Sequence, residues 1–136
     1  MKKISSDDDN DDDILGVTSV HDELFVLRER NDNQVAVYSI NDYQLVRHLN
    51  VPEFEADSDS DMTSCVRHKC LYMSDPDNGC IHRYELRPTL TAEIKRFVGA
   101  SSAISKWSVL GRPVGLSVTR SCNLLVTCHY ANKLVE

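Results

Sequence analysis

The stretch Cys70-Leu71-Tyr72-Met73-Ser74-Asp75-Pro76-Asp77-Asn78-Gly79-Cys80-Ile81-His82-Arg83-Tyr84 decides the fold class. Two short apolar blocks flank Asp77-Asn78-Gly79, residue types that tolerate positive φ and so suit a tight turn. Blocks of this length bounded by turn residues predict strands, and the turn predicts an antiparallel hairpin. The same grammar runs outward along the chain. Before this stretch, strands are predicted at Gly16–Val20, Glu23–Leu27, Gln34–Ile40, Gln44–Asn50 and Met62–Val66, with Lys69–Ser74 and Cys80–Leu86 forming the hairpin itself. After it come Glu93–Val98 or Lys106–Val109, then Val114–Thr119, Asn123–His129 and Asn132–Val135. Alternation is clearest in Gln34–Ile40, where Val35, Val37 and Ser39 point one way and Ala36, Tyr38 and Ile40 the other. Asn31-Asp32-Asn33 supplies a second tight turn. Helix signals are almost absent, so the chain is predicted to be all-β.

Three passages repeat. Val17-Thr18-Ser19-Val20 with Leu24-Phe25-Val26 and Val35-Ala36-Val37-Tyr38 matches Met62-Thr63-Ser64-Cys65 with Leu71-Tyr72-Met73 and Ile81-His82-Arg83-Tyr84. Gly115-Leu116-Ser117-Val118 with Leu124-Leu125-Val126 and Leu134-Val135-Glu136 makes a third copy. Leu24 and Leu71 lie 47 residues apart, Leu71 and Leu124 53 apart, and Tyr38 and Tyr84 46 apart. Four strands recurring at that spacing are the signature of a propeller blade. The extra residues fall in Thr89–Ala103, between the second and third units, where insertions cost least. The predicted organisation is an acidic tail at 1–13 and an incomplete β-propeller at 14–136. Its blades are expected at about 14–51, 62–109 and 113–136, some two and a half four-stranded antiparallel units.

Cys70-Leu71-Tyr72-Met73-Ser74-Asp75, followed by Asn78 and Ile81-His82-Arg83-Tyr84, resembles the NHL-type six-bladed β-propeller repeat. Arg112-Pro113-Val114-Gly115-Leu116-Ser117-Val118 with Asn123-Leu124-Leu125-Val126-Thr127 is similar to the opening of another copy. The first unit departs from the pattern, with Arg28 where an aspartate is usual. The resemblance implies a platform for protein partners. It also implies two alternatives known in that family and its relatives, an RNA-binding face and a lactonase-like hydrolase with a metal in the central channel. An open arc of blades leaves apolar faces and strand edges uncovered. Further blades, from a longer parent chain or from association, are therefore expected to close the ring.

The chain has 136 residues, with 15 Lys+Arg against 21 Asp+Glu and a net charge of -6. That suits one domain, and no apolar run is long enough for a membrane helix. The acidity is local: residues 1–13 sum to -4 and 53–61 to -5, leaving +3 for the rest. Dense like charge predicts that both stretches are mobile, either as solvated segments or as a lure for a basic partner. No apolar stretch follows the basic start, so a secretory signal is not expected. Five cysteines (Cys65, Cys70, Cys80, Cys122, Cys128), odd in number, fit reduced thiols and a cytoplasmic location.

The sequence carries few motifs that point to chemistry. Asp57, Asp59 and Asp61 alternate like calcium-loop ligands, but Met62 and His68 stand where glycine and glutamate are needed. Cys65, His68, Cys70, Cys80 and His82 invite a zinc reading, yet they lack paired knuckle spacing and read better as strand packing residues. Cys80 and His82, two apart, are predicted to share a face. Ser64, Ser74 and Ser117 lack a nucleophile elbow. His21, His48, His68, His82 and His129 have no carboxylate at a spacing that argues for a dyad, and Trp107 beside Lys106 reads as a packing residue at a blade junction. Phosphate-loop and dinucleotide motifs are missing.

The resulting expectation is a non-catalytic binding module, with no catalytic, cofactor-binding or metal residues and an unidentified protein partner. RNA binding is the alternative that Arg28, Arg30, Arg67, Lys69, Arg83 and Arg87 would serve. The predicted core is Val17, Val20, Leu24, Val26, Val35, Val37, Cys65, Leu71, Met73, Ile81, Tyr84, Leu116, Val118, Leu124 and Val126.

Overall fold

The computed structural model describes residues 13–86, 104–109, 111–129 and 133–135, of which the side chains of 104, 107 and 133–135 are excepted. Glu93–Val98 and residues 1–12 therefore lie outside the described residues, as does the Trp107 side chain. The first sheet takes β1 (Ile14–Val20), β2 (Glu23–Arg28), β3 (Gln34–Ser39) and β4 (Leu45–Asn50) in chain order. The second takes β5 (Met62–Cys65), β6 (Cys70–Asp75), β7 (Cys80–Glu85) and β8 (Ile104–Ser108). The third takes β9 (Arg112–Val118), β10 (Leu124–His129) and β11 (Lys133–Val135). Every neighbouring pair is antiparallel. The described chain is all-β, an open partial propeller of three blade-like sheets. Of the two segments expected to supply the fourth strand of the second sheet, 106–109 overlaps β8.

Turn chemistry sets the hairpins. Asp32 and Asn33 have φ of 48° and 59°, and Gly79 has φ of 61°, as the Asn/Asp/Gly clusters predict. Ser19 pairs with Leu24 and Ser64 with Leu71, so the first two units share a register. In the third, Ser117 pairs with Leu125 instead. The turn joining Val118 to Leu124 holds one more residue than the turn joining Cys65 to Cys70, which slips the pairing by one.

Residues directly opposite on paired strands share a face. Leu71 and Met73 of the second sheet pack with Phe25, Leu27, Val35, Val37 and Leu49 of the first. Cys70, Tyr72 and Ile81 pack the other way, with Val126, Cys128, Leu116 and Leu124 of the third. All six residues of β6 are buried. Its run of apolar side chains without polar alternation is what a strand covered on both faces requires.

That arrangement corrects the expected core in the first sheet. Val17 occupies the position that Met62 holds in the next unit, each opposite the third residue of the repeat triplet, Val26 or Met73. Met62 is 4% exposed and Val17 53%. The repeat alignment is sound. Met62 lies beneath the preceding sheet, whereas no described sheet covers the equivalent face of the first blade. Leu24 and Leu45 line the same uncovered face, Leu24 half-buried and Leu45 52% exposed. The core of the first blade is instead Phe25 and Leu27, which face the second sheet. Tyr84, Leu116, Val118 and Leu124 are half-buried at the edges of the two apolar layers. The remaining expected core residues are buried: Val20, Val26, Val35, Val37, Cys65, Leu71, Met73, Ile81 and Val126.

Polar ties join the sheets where their first strands converge. The Thr18 and Ser64 hydroxyls lie 2.6 Å apart, across β1 and β5. A Cβ on Gly16 would come within 3.2 Å of the Met62 Cβ, so glycine permits that close approach. On the other side, Asp61 accepts from the Leu116 N–H at 2.9 Å, and the Ser74 hydroxyl donates to the Val114 carbonyl at 3.0 Å.

Residues 53–61 also depart from expectation. Mobility follows from their charge, but Phe54 and Ala56 are apolar and buried in the layer between the first two sheets. The Asn31 side chain accepts from the Ala56 N–H at 2.8 Å, and the Ala56 carbonyl accepts from the Arg30 N–H. Two anchors hold a charged segment flat against the blades.

Burial assigns different costs to neighbouring positions. Leu27→Ala should lower the unfolding free energy by about 2–5 kcal/mol, and Val17→Thr should change it by less than about 0.5 kcal/mol. Urea unfolding measures both. Equal losses at the two sites would contradict the assignment of faces.

Candidate functional site

The β6–β7 hairpin places three chemical side chains together. Asp75 ends β6 and pairs with Cys80, which begins β7, and His82 lies two residues further on the same face. The His82 Nε2 stands 2.9 Å from Asp75 Oδ2 and 3.5 Å from Cys80 Sγ. A carboxylate can only accept, so Nε2–H donates to it. The Cys80 thiol is 3.8 Å from the same oxygen. Asp75 also accepts from the backbone and side-chain N–H groups of Asn78, which closes the turn. The Phe54 ring lies over the imidazole with centroids 5.0 Å apart.

Sequence spacing gives no dyad to any histidine; the hairpin supplies one, because residues seven apart become diagonal neighbours across it. Cys80 and His82 share a face as expected. The arrangement locks the hairpin. Asp75 and Cys80 both meet His82 at one nitrogen, and Nδ1 is buried with no hydrogen-bond partner among the described residues. All three groups are buried. Burial foremost, and then the Asp75 charge, push the Cys80 thiol above its ordinary pKa, the opposite of an activated nucleophile.

A second cluster sits at the rim between the second and third sheets. The turn after β5 carries His68, Cys65 ends β5, and Cys122 lies in the turn after β9. One donor atom from each lies within 4.8 Å of the others. Proximity along the chain groups Cys65 and His68 with Cys70, Cys80 and His82. The fold splits that group and brings in Cys122, more than fifty residues away. Cys70 is buried opposite Cys65 in the apolar layer, as the packing reading expected.

The acidic segment forms the third chemical surface. Arg112 gathers Asp57, Asp59 and Asp77, and Lys106 pairs with Glu53 at 2.8 Å. The ammonium of Lys106 draws the Glu53 carboxyl below its ordinary range, while burial raises that of Asp57. The Asp57 and Asp61 carboxylates also accept backbone N–H groups, from Asp59 in one case and from Met62 and Leu116 in the other. That use explains their alternation without a calcium ion. Ser64 and Ser74 are hydrogen-bonded into the sheet ties, and Ser117 is exposed. His21 and His48 are exposed and join neither cluster. Of the bases considered for RNA, Arg83 pairs with Glu85 at 2.8 Å and Arg87 lies outside the described residues.

Removing Asp75 would leave buried donors unpaired, so Asp75→Ala should cost about 1–3 kcal/mol for each donor left unpaired, read in urea unfolding. Cys80 gives a signed pH dependence. Its pKa is raised on folding, so its contribution is complete below the ordinary thiol pKa and is lost as pH rises through the shifted value. Cys80→Ala should therefore flatten the alkaline fall in the urea midpoint. An unchanged slope would count against the buried thiol. No protein-family model matches the chain, and no curated protein matches it.

Proposed function

We propose that the chain is a non-catalytic protein-binding module of the propeller type, and that it takes a basic segment of its partner on the acidic surface of residues 53–61. The observation that carries this reading is how the segment is held. Phe54 and Ala56 anchor it, so Glu53, Glu55 and Asp59 stand outward on fixed backbone beside Asp77 of the β6–β7 turn. Acid there is in excess over the two bases, Lys106 and Arg112, that pair with part of it. Glu53 and Asp77 have 73% and 72% of their side-chain surface exposed. Fixed charge binds with a smaller ordering cost than a mobile acidic tail would. It also steers a cationic partner and repels phosphate.

The kinship with NHL-type propellers, and their use as platforms for protein partners, belongs to the same proposal. It is supported by the strand, aspartate, turn and strand geometry of β6 and β7. RNA binding is the competing reading, and charge separates the two.

Fluorescence anisotropy of a labelled oligolysine peptide and a labelled single-stranded RNA, both at low salt, provides the test. The peptide should bind, with affinity falling as salt rises, and the RNA should not. Neutralising all four outward carboxylates (E53Q, E55Q, D59N, D77N) should weaken peptide binding by about tenfold or more. Binding of RNA in preference to the peptide, or peptide binding indifferent to the four substitutions, would contradict the proposal.

A further inference from the structure

We propose that Cys65, His68 and Cys122 form a zinc site that clips the second blade to the third. The donor set suits the ion. Two thiols and an imidazole are the ligands zinc favours, and three protein ligands plus water complete a tetrahedron. Bond lengths of about 2.3 Å to sulfur and 2.0–2.1 Å to nitrogen place tetrahedral ligand atoms roughly 3.5–3.8 Å apart. The three donors already lie within 4.8 Å of one another. Closing the triangle takes movements of about an ångström in two surface turns.

Placement suits it too. The two turns occupy equivalent positions in adjacent units, each joining the first strand to the second. Cys65 is 2% exposed and forms the floor, Cys122 is half-buried at the wall, and His68 is exposed at the mouth. An ion can therefore reach the site from solvent and keep one water. The buried Asp75–Cys80–His82 triangle has no comparable opening, and its carboxylate is already committed to Asn78 and His82.

The turn backbone sets the position of the Cys122 thiol, with φ of 67° at that residue. The Cys122 N–H donates to the Thr119 carbonyl at 2.9 Å and fixes the turn in that conformation. The thiol is held beside Cys65 and His68. Binding exchanges two thiol protons for one Zn2+, giving a neutral centre with two thiolates, one imidazole and water, and the two protons leave to solvent.

The full chain, reduced and stripped of metal with a chelator, is titrated with Zn2+ in competition with a chromophoric chelator and, separately, with Co2+ followed by absorption. One equivalent of zinc should bind, and cobalt should give a thiolate-to-metal charge-transfer band in a tetrahedral spectrum. Cys122→Ser should abolish both without altering the circular dichroism spectrum, because the residue sits in a surface turn. His68→Ala should weaken zinc by about tenfold or more, and Cys80→Ser should bind as the wild type does. Zinc should raise the melting temperature of the wild type and leave that of Cys122→Ser unchanged. Wild-type binding no tighter than that of Cys122→Ser, or cobalt bands that survive that substitution, would overturn the site. Loss of the cobalt bands in Cys80→Ser with retention in Cys122→Ser would assign the metal to the buried triangle and overturn it equally.

Discussion

A sheet with two apolar faces has to be covered twice, and the second sheet of this chain is such a sheet. Leu71 and Met73 need the first blade, and Cys70, Tyr72 and Ile81 need the third. Burying a large aliphatic or aromatic side chain is worth about 1.5–3 kcal/mol, so the central strand draws its stability from both neighbours. The contrast between Met62 and Val17 shows the same constraint from the other side. The repeat position is shared, the residue types are both apolar, and exposure differs because among the described residues a preceding sheet covers only one of them.

The polar chemistry follows from this stack. Once the sheets are pressed together, their first strands converge, and Thr18, Ser64, Asp61 and Ser74 satisfy groups that the approach would otherwise strand. Asp75 serves the same purpose within one hairpin, tying Asn78 in the turn to His82 in the strand. Phe54 covers that lock and anchors the acidic segment. One aromatic residue thereby links the core of the blades to the surface proposed to bind.

Much of the fold was legible because strands and turns are written locally. The alternation of Gln34–Ile40 and the positive-φ turns at Asp32-Asn33 and Gly79 required no knowledge of distant residues. What escaped was set by neighbours far along the chain. Phe25 and Leu27 outrank Leu24 only because the second sheet lies on their side. Phe54 and Ala56 were overshadowed by the carboxylates around them, although two apolar residues among charges are the signal of an anchored segment. Asp75 and His82 could have been paired by following the hairpin diagonally. Cys122 could not have been joined to Cys65 and His68 without knowing that two turns in successive blades stand side by side.

Native-state hydrogen exchange measures the double coverage of the second sheet most directly. Backbone amides of β6 should be the slowest to exchange, opening only with global unfolding, while those of β4, whose residues are mostly exposed, should open locally and much sooner. Exchange in β6 as fast as in β4 would mean that the central sheet is not held between its neighbours, and the stacked-blade architecture would fail with it.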